Sequence, residues 1–214
     1  MEVKTFVYGG WFELSANTYV LIDSKKNCVV IDPGKDYSGI VDFIKEKGLA
    51  PQAILLTHGH FDHIGGIQVL KDAFDLPVYI HQADESLLKK PKLNGSDKFS
   101  RVNISFNINV NYLKENEELN ILEEPISIIE TPFHTNGSVC FYLKDSHMLF
   151  SGDTLFLESV GRTDFIVSNP KLMNNSLRKL MKLPDDVVVY PGHGETTTIK
   201  HEREVNNFCQ MAIV

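Results

Sequence analysis

With 214 residues, 43% hydrophobic and 23% charged, the chain has the balance of a globular protein and is short for two, so a single domain over residues 1–214 is expected. Its 28 acidic against 21 basic side chains leave a formal charge of -7, and phosphate neutralisation needs clustered Lys and Arg, so nucleic acid is excluded as an expected partner. Cys28, Cys140 and Cys209 stand far apart with no CxxC pair, no apolar leader follows Met1 and no run nears the ~20 apolar residues that cross a bilayer; a disulfide scaffold and a membrane partner are excluded too, and a cytoplasmic location is expected.

From the N-terminus, apolar alternation predicts strands at about Val3 to Tyr8 and Asn17 to Ile22. Between them Trp11 and Phe12 follow Gly9-Gly10 and read as a hydrophobic anchor, with a flap over the site as the alternative. A turn at Lys25-Lys26-Asn27 closes a hairpin with Cys28 to Ile31, before the break at Asp32-Pro33-Gly34. Ile40, Val41, Phe43 and Ile44 have helical spacing, with Gly48 in the C-terminal position. Ala53 to Leu56, between Pro51 and Thr57, suits a strand buried on both faces. The loop Thr57 to His63, a helical pattern from Ile64 to Phe74 and a strand from Val78 to Ile80 then complete a βαβ unit.

From Gln82 to Glu124 the signal is weak. A helix is expected around Ala83 to Leu88, the basic run Lys89, Lys90 and Lys92 reads as its solvated end, and the Asn-rich stretch beyond is of the kind that carries substrate-facing insertions. Strands return at Ile126 to Glu130, Val139 to Leu143 and Met148 to Ser151. Pro170 opens a helix to Leu183, Val187 to Tyr190 is a buried strand, and Thr198 to Phe208 is helical.

Four potential ligands fall within six residues, His58, His60, Asp62 and His63, directly after a buried strand. Side chains two apart on an extended segment point the same way, so His58 and His60 can converge on one ion while the turn into the next helix sends Asp62 and His63 to another. A lone histidine is usually structural, and His81, His147 and His201 are read that way; three histidines and an aspartate in one short loop are not. His134, Asp153 and His193 each follow an apolar run at a strand end, where the loops of an α/β sheet meet. Imidazole and carboxylate without thiolate suit Zn²⁺ in a catalytic, water-bearing site rather than a closed structural one.

Val30-Ile31-Asp32-Pro33-Gly34, His58-Gly59-His60-Phe61-Asp62-His63, Thr131-Pro132-Phe133-His134-Thr135, Ser151-Gly152-Asp153-Thr154, Gly161-Arg162-Thr163-Asp164 and Pro191-Gly192-His193-Gly194 span most of the chain. In that order they resemble the metallo-β-lactamase superfamily, and within it the short, bacterial glyoxalase II-like hydrolases that lack a helical glutathione-holding region. The resemblance implies an α/β fold, an αββα sandwich of two mixed β-sheets. It implies two divalent metal ions, zinc first with iron or manganese as alternatives, the first held by His58, His60 and His134, the second by Asp62, His63 and His193, with Asp153 bridging. Asp32 would position the site, and Arg162 is expected to pair with Asp164 as an orienting contact. Phe133 stands where the family commonly has Gly, which puts a bulky ring beside a ligand.

Two cations a few ångströms apart make hydroxide available at pH 7 for attack on a carbonyl, and a thioester, whose thiolate leaves with little protonation, is the easiest substrate. The expected function is therefore hydrolysis of small thioesters, with Asp62 guiding a proton. Resemblance leaves two alternatives, a persulfide dioxygenase with a single iron held by His58, His134 and Asp153, and a lactonase with the same seven ligands.

Overall fold

The structure is a computed structural model and describes residues 1–8, 16–34 and 38–214; the proposed Trp11–Phe12 anchor lies outside them. The first half of the chain forms β1 (Glu2–Tyr8), β2 (Ala16–Ile22), β3 (Asn27–Ile31), α1 (Ser38–Glu46), β4 (Ala50–Leu55), α2 (Phe61–Ile64), α3 (Ile67–Phe74) and β5 (Val78–His81). A tight turn at Gln82–Asp84 leads into α4 (Glu85–Lys89), α5 (Pro91–Asn94), α6 (Ser96–Phe99) and β6 (Asn111–Leu113). The second half supplies β7 (Glu118–Leu119), β8 (Ile126–Glu130), β9 (Val139–Leu143), β10 (Met148–Gly152), the small hairpin β11 (Leu155–Phe156) and β12 (Ser159–Val160), α7 (Met173–Leu180), β13 (Val188–Pro191), β14 (Thr197–Thr198), α8 (Ile199–Val205) and α9 (Asn207–Ile213).

One sheet runs β1-β2-β3-β4-β5-β6 and the other β14-β13-β10-β9-β8-β7. Both are mixed: β1 to β3 pair antiparallel and β3 to β6 parallel, while in the second sheet only β10 and β13 run parallel. Alternation explains the layering, because successive side chains of a strand face opposite sides of its sheet. In β3, Val29 and Ile31 turn towards Phe141, Leu143 and Phe150 of the other sheet, whereas Cys28 and Val30 turn to Ile40, Ile44 and Ile67 of α1 and α3. In the second sheet Phe141 faces inward, while Cys140 and Tyr142 pack on Leu177 and Leu180 of α7 and Cys209 and Ala212 of α9. Both faces of both sheets are covered, which is why the central strands read as unbroken apolar runs. The architecture is the expected αββα sandwich.

Four local differences from the sequence reading have physical causes. Strand β4 starts at Ala50 and takes in Pro51, because the ladder with β3 shifts register between Cys28 and Val29, and a bulge tolerates a proline without a donor. The polar stretch before Glu124 contains β6 and β7, too short for a periodicity signal. The helix opened by Pro170 begins as a tight turn and ends as α7 at Leu180. The helix expected from Thr198 to Phe208 is two, divided at buried Asn206.

Candidate metal centre

Five strands deliver the side chains. Asp32 follows β3, His58 and His60 follow β4, His134 follows β8, Asp153 follows β10, and His193 follows β13. As the chain leaves β4, Thr57 anchors it between the sheets: its N–H and hydroxyl donate to Asp32 at 2.8 and 2.5 Å, and its carbonyl accepts from Val139 N–H at 2.9 Å. His60 is still extended, and α2 then begins, placing Asp62 and His63 in its single turn. The switch from extended chain to helix sends the two pairs in different directions.

Three imidazoles are oriented from behind. His134 Nδ1–H donates to the Arg162 carbonyl at 2.8 Å, and His63 Nδ1–H to Asp32 Oδ2 at 3.0 Å. Thr57 spends its hydroxyl proton on Asp32, so its oxygen accepts from His58 Nδ1–H at 3.1 Å. In each ring Nε2 is left facing the interior as the nitrogen that carries the lone pair when the ring is neutral. These nitrogens gather in two places. His60 Nδ1 lies 2.9 Å from His134 Nε2, and His63 Nε2 lies 3.3 Å from His193 Nε2. Asp62 Oδ2 sits 3.3 Å from His193 Nε2. Asp153 stands between, with Oδ2 3.3 Å from His134 Nε2 and Oδ1 3.3 Å from His63 Nε2 and 3.6 Å from His193 Nε2.

The arrangement can accept cations. The ligand atoms of His58, His60 and His134 lie within 4.8 Å of one another, as do those of Asp62, His63 and His193, with an overlapping set of Asp32, His58 and His63. Among the described residues the buried side-chain atoms without a hydrogen-bond partner are His58 Nε2, His60 Nε2 and Asp153 Oδ1, all in this cluster. Buried polar atoms seldom go unpaired, and imidazoles do not otherwise crowd together away from water, so the donor set fits divalent cations.

Comparison with known proteins agrees. Residues 11–193 match the family model described as Metallo-beta-lactamase superfamily. The chain belongs to this superfamily. A probable metallo-hydrolase, YqgX of Bacillus subtilis, is 40% identical over 196 residues, 91% of this chain and 92% of the relative. Hydroxyacylglutathione hydrolase GloC of Haemophilus influenzae is 32% identical over 194 residues, 90% of this chain and 92% of the relative. Among solved structures, the BLEG-1 B3 metallo-beta-lactamase superposes with a TM-score of 0.90 at 38% identity, covering 97% of this chain and 99% of that one. TTHA1623 in a di-iron-bound form superposes at 0.86 with 35% identity, covering 96% and 99%. The chain is thus a superfamily metallo-hydrolase with a His/Asp cluster suited to metal.

Electrostatics divides this superfamily cluster in two. Burial drives the His58 imidazole well below its ordinary value and, with His134 beside it, brings His60 down to about 3, so both are neutral and ready for a cation. Burial opposes charge on His63 and His193 as well, but there Asp153 and Asp62 outweigh it and hold both above the ordinary imidazole value. Burial would raise the Asp153 and Asp62 carboxyls, yet the nearby histidines keep both below the usual carboxylate range, and so ionised.

All seven expected ligands come together here, with Asp32 directly behind them. Arg162 and Asp164 do pair, through two hydrogen bonds of 2.6 Å, but the pair is exposed; it is the Arg162 backbone carbonyl that orients His134, while the guanidinium lies over the Phe165 ring at 4.6 Å. Phe133 is wholly buried in the core, with its ring withdrawn from solvent. His81, His147 and His201 lie apart, paired with Glu130, Asp186 and Glu158. The sequence reading missed the aromatic walls: Phe165 has its ring 4.7 Å from His60 and 5.8 Å from His134, and Phe156 lies 5.9 Å from His193. The only signal for Phe165 was its place one residue beyond Gly161-Arg162-Thr163-Asp164. Asp84 was missed as well, since it belongs to no motif.

Proposed function

We propose that the chain is a cytoplasmic, single-domain hydrolase of small acyl thioesters. His58, His60 and His134 would hold one divalent cation, Asp62, His63 and His193 a second, and Asp153 would be shared between them. The observation that carries this reading is the placement of Asp153, whose two carboxylate oxygens face the two imidazole groups separately. When bound, such a pair of cations supplies Lewis acidity, polarising a carbonyl and lowering the pKa of water towards neutrality. Zinc is the first expectation from the donor set, and the likeness to a di-iron protein keeps iron open.

The chain's own residues do the rest. Asp32, Thr57 and the Arg162 carbonyl fix the orientations of the His63, His58 and His134 rings. Asp62 is ionised at neutral pH and can receive and pass on a proton near His193. Phe165 and Phe156 form apolar flanks that suit a short acyl chain. A thioester fits because its leaving thiolate asks for no strong general acid, and the likeness to a hydroxyacylglutathione hydrolase supports that class. Three free and buried cysteines suit a reducing compartment.

The test is elemental analysis followed by a substrate panel. Two ions per chain and thiol release from acyl thioesters are expected. Lactone or β-lactam opening without thioester cleavage, or a single iron with oxygen uptake on a persulfide, would overturn the reading.

A further inference from the structure

Beyond the ligands, a buried carboxylate lies outside every motif of the chain. Asp84 ends the tight turn after β5, wholly removed from solvent. All three hydrogen bonds of its carboxylate reach distant segments: Oδ2 accepts from Gly59 N–H at 3.0 Å and from the Thr135 hydroxyl at 2.7 Å, and Oδ1 accepts from Gly137 N–H at 2.8 Å. Gly59 lies between His58 and His60, and Thr135 directly follows His134. One carboxylate therefore holds both loops that carry the three-imidazole group.

The packing leaves no slack in this bracket. A Cβ on Gly59 would lie 2.6 Å from Leu87 Cβ, and one on Gly137 would lie 2.7 Å from Asp84 Oδ1 and 2.8 Å from the Asp84 nitrogen. Side chains at either position would push the loops off Asp84. Asp32 makes none of these bonds: its carboxylate serves Thr57 and His63, and supports His58 only through the Thr57 hydroxyl. Asp32 orients rings through Thr57 and His63, whereas Asp84 ties the two loops to each other.

We infer that Asp84 is a positioning residue of the metal centre, tying the His58–His60 loop to the loop after His134 so that these three imidazoles are held ready for one cation. It touches no ligand side chain and acts only through Gly59, Thr135 and Gly137. The inference rests on the reading that His58, His60 and His134 hold one of two ions. It assigns Asp84 to that ion alone, since none of its hydrogen bonds reaches Asp62, His63 or His193.

Asp84→Asn tests this, because an amide keeps one acceptor corner and turns the other into a donor that must face Gly59 N–H or Gly137 N–H. Thr135→Val is the milder companion, removing one of the three bonds, and carries the test if D84N folds poorly. Wild type and both variants are titrated with Co²⁺, following visible absorption and ions retained against a chelator. One of two binding steps is expected to weaken by about 10–100-fold in D84N and less in T135V, the other staying put. The weakened step should be the one that disappears in H58A. Both steps weakening together, as from a loosened fold, or neither changing, overturns the inference and leaves the two-ion reading standing. Wild-type protein that takes up no Co²⁺ overturns the two-ion reading, and this inference with it.

Discussion

Three of the five imidazoles, those of His58, His63 and His134, are oriented by Thr57, Asp32 and the Arg162 carbonyl. Asp32 shows how much one such residue carries: its two oxygens take the Thr57 N–H, the Thr57 hydroxyl and the His63 Nδ1–H, and through Thr57 it also sets His58. Asp32→Asn puts an amide donor against one of these donors and is expected to lower metal affinity about 10–100-fold, read by chelator competition. The motif Asp32-Pro33-Gly34 was visible in the sequence, and so were the seven expected ligands, because they sit in short loops of unusual composition. Asp84 was not visible. A single aspartate after an ordinary strand has no local signature, and only the folded chain brings Gly59, Thr135 and Gly137 to it.

Local pattern located most of the elements, and the misreadings cluster where a tertiary contact overrides it. The C-terminal segment reads as one helix through Thr198 to Phe208, yet Asn206 stops α8 and starts α9. Its side chain accepts from Phe208 N–H at 3.0 Å and donates to Glu202 at 2.7 Å and to the Ser159 carbonyl at 3.1 Å. The cap and the buried contacts together outweigh helical continuation. Asn206→Ala removes both, and a loss of about 1–3 kcal/mol is expected, seen as a lower denaturation midpoint with an unchanged denaturant slope. The strands β6 and β7, three and two residues long, lie below what periodicity can resolve and exist because sheet edges were there to receive them.

In the whole molecule, the two sheets bring two electrostatic environments into one cluster. Before a cation binds, Asp153 and Asp62 outweigh the burial that opposes charge and favour the charged form of His63 and His193, whereas burial keeps the His58 and His60 rings neutral. A cation entering the Asp62, His63 and His193 group must therefore displace protons, and one entering beside His58 and His60 meets two rings that are already neutral. Lowering the pH from about 8 to 6 is expected to release the ion at His63 and His193 first, and loading at neutral pH should acidify a weakly buffered solution. Ion content after dialysis at each pH, in wild type and in H193A, measures this; simultaneous release of both ions would refute it. No helix among the described residues is long and apolar enough to cross a membrane.

By itself the sequence determined the kind of chemistry and the layered α/β plan, because ligand identity, loop spacing and the apolar strand runs are local properties of the chain. It also determined the family, through ordered motifs that the match over residues 11–193 bears out. Tertiary structure decided which nitrogens face inward, which carboxylate lies between the two groups, that the Arg162 side chain faces solvent while its carbonyl serves His134, and that Phe165 flanks His60. These depend on contacts between residues tens of positions apart, and no local pattern encodes a distance across two sheets.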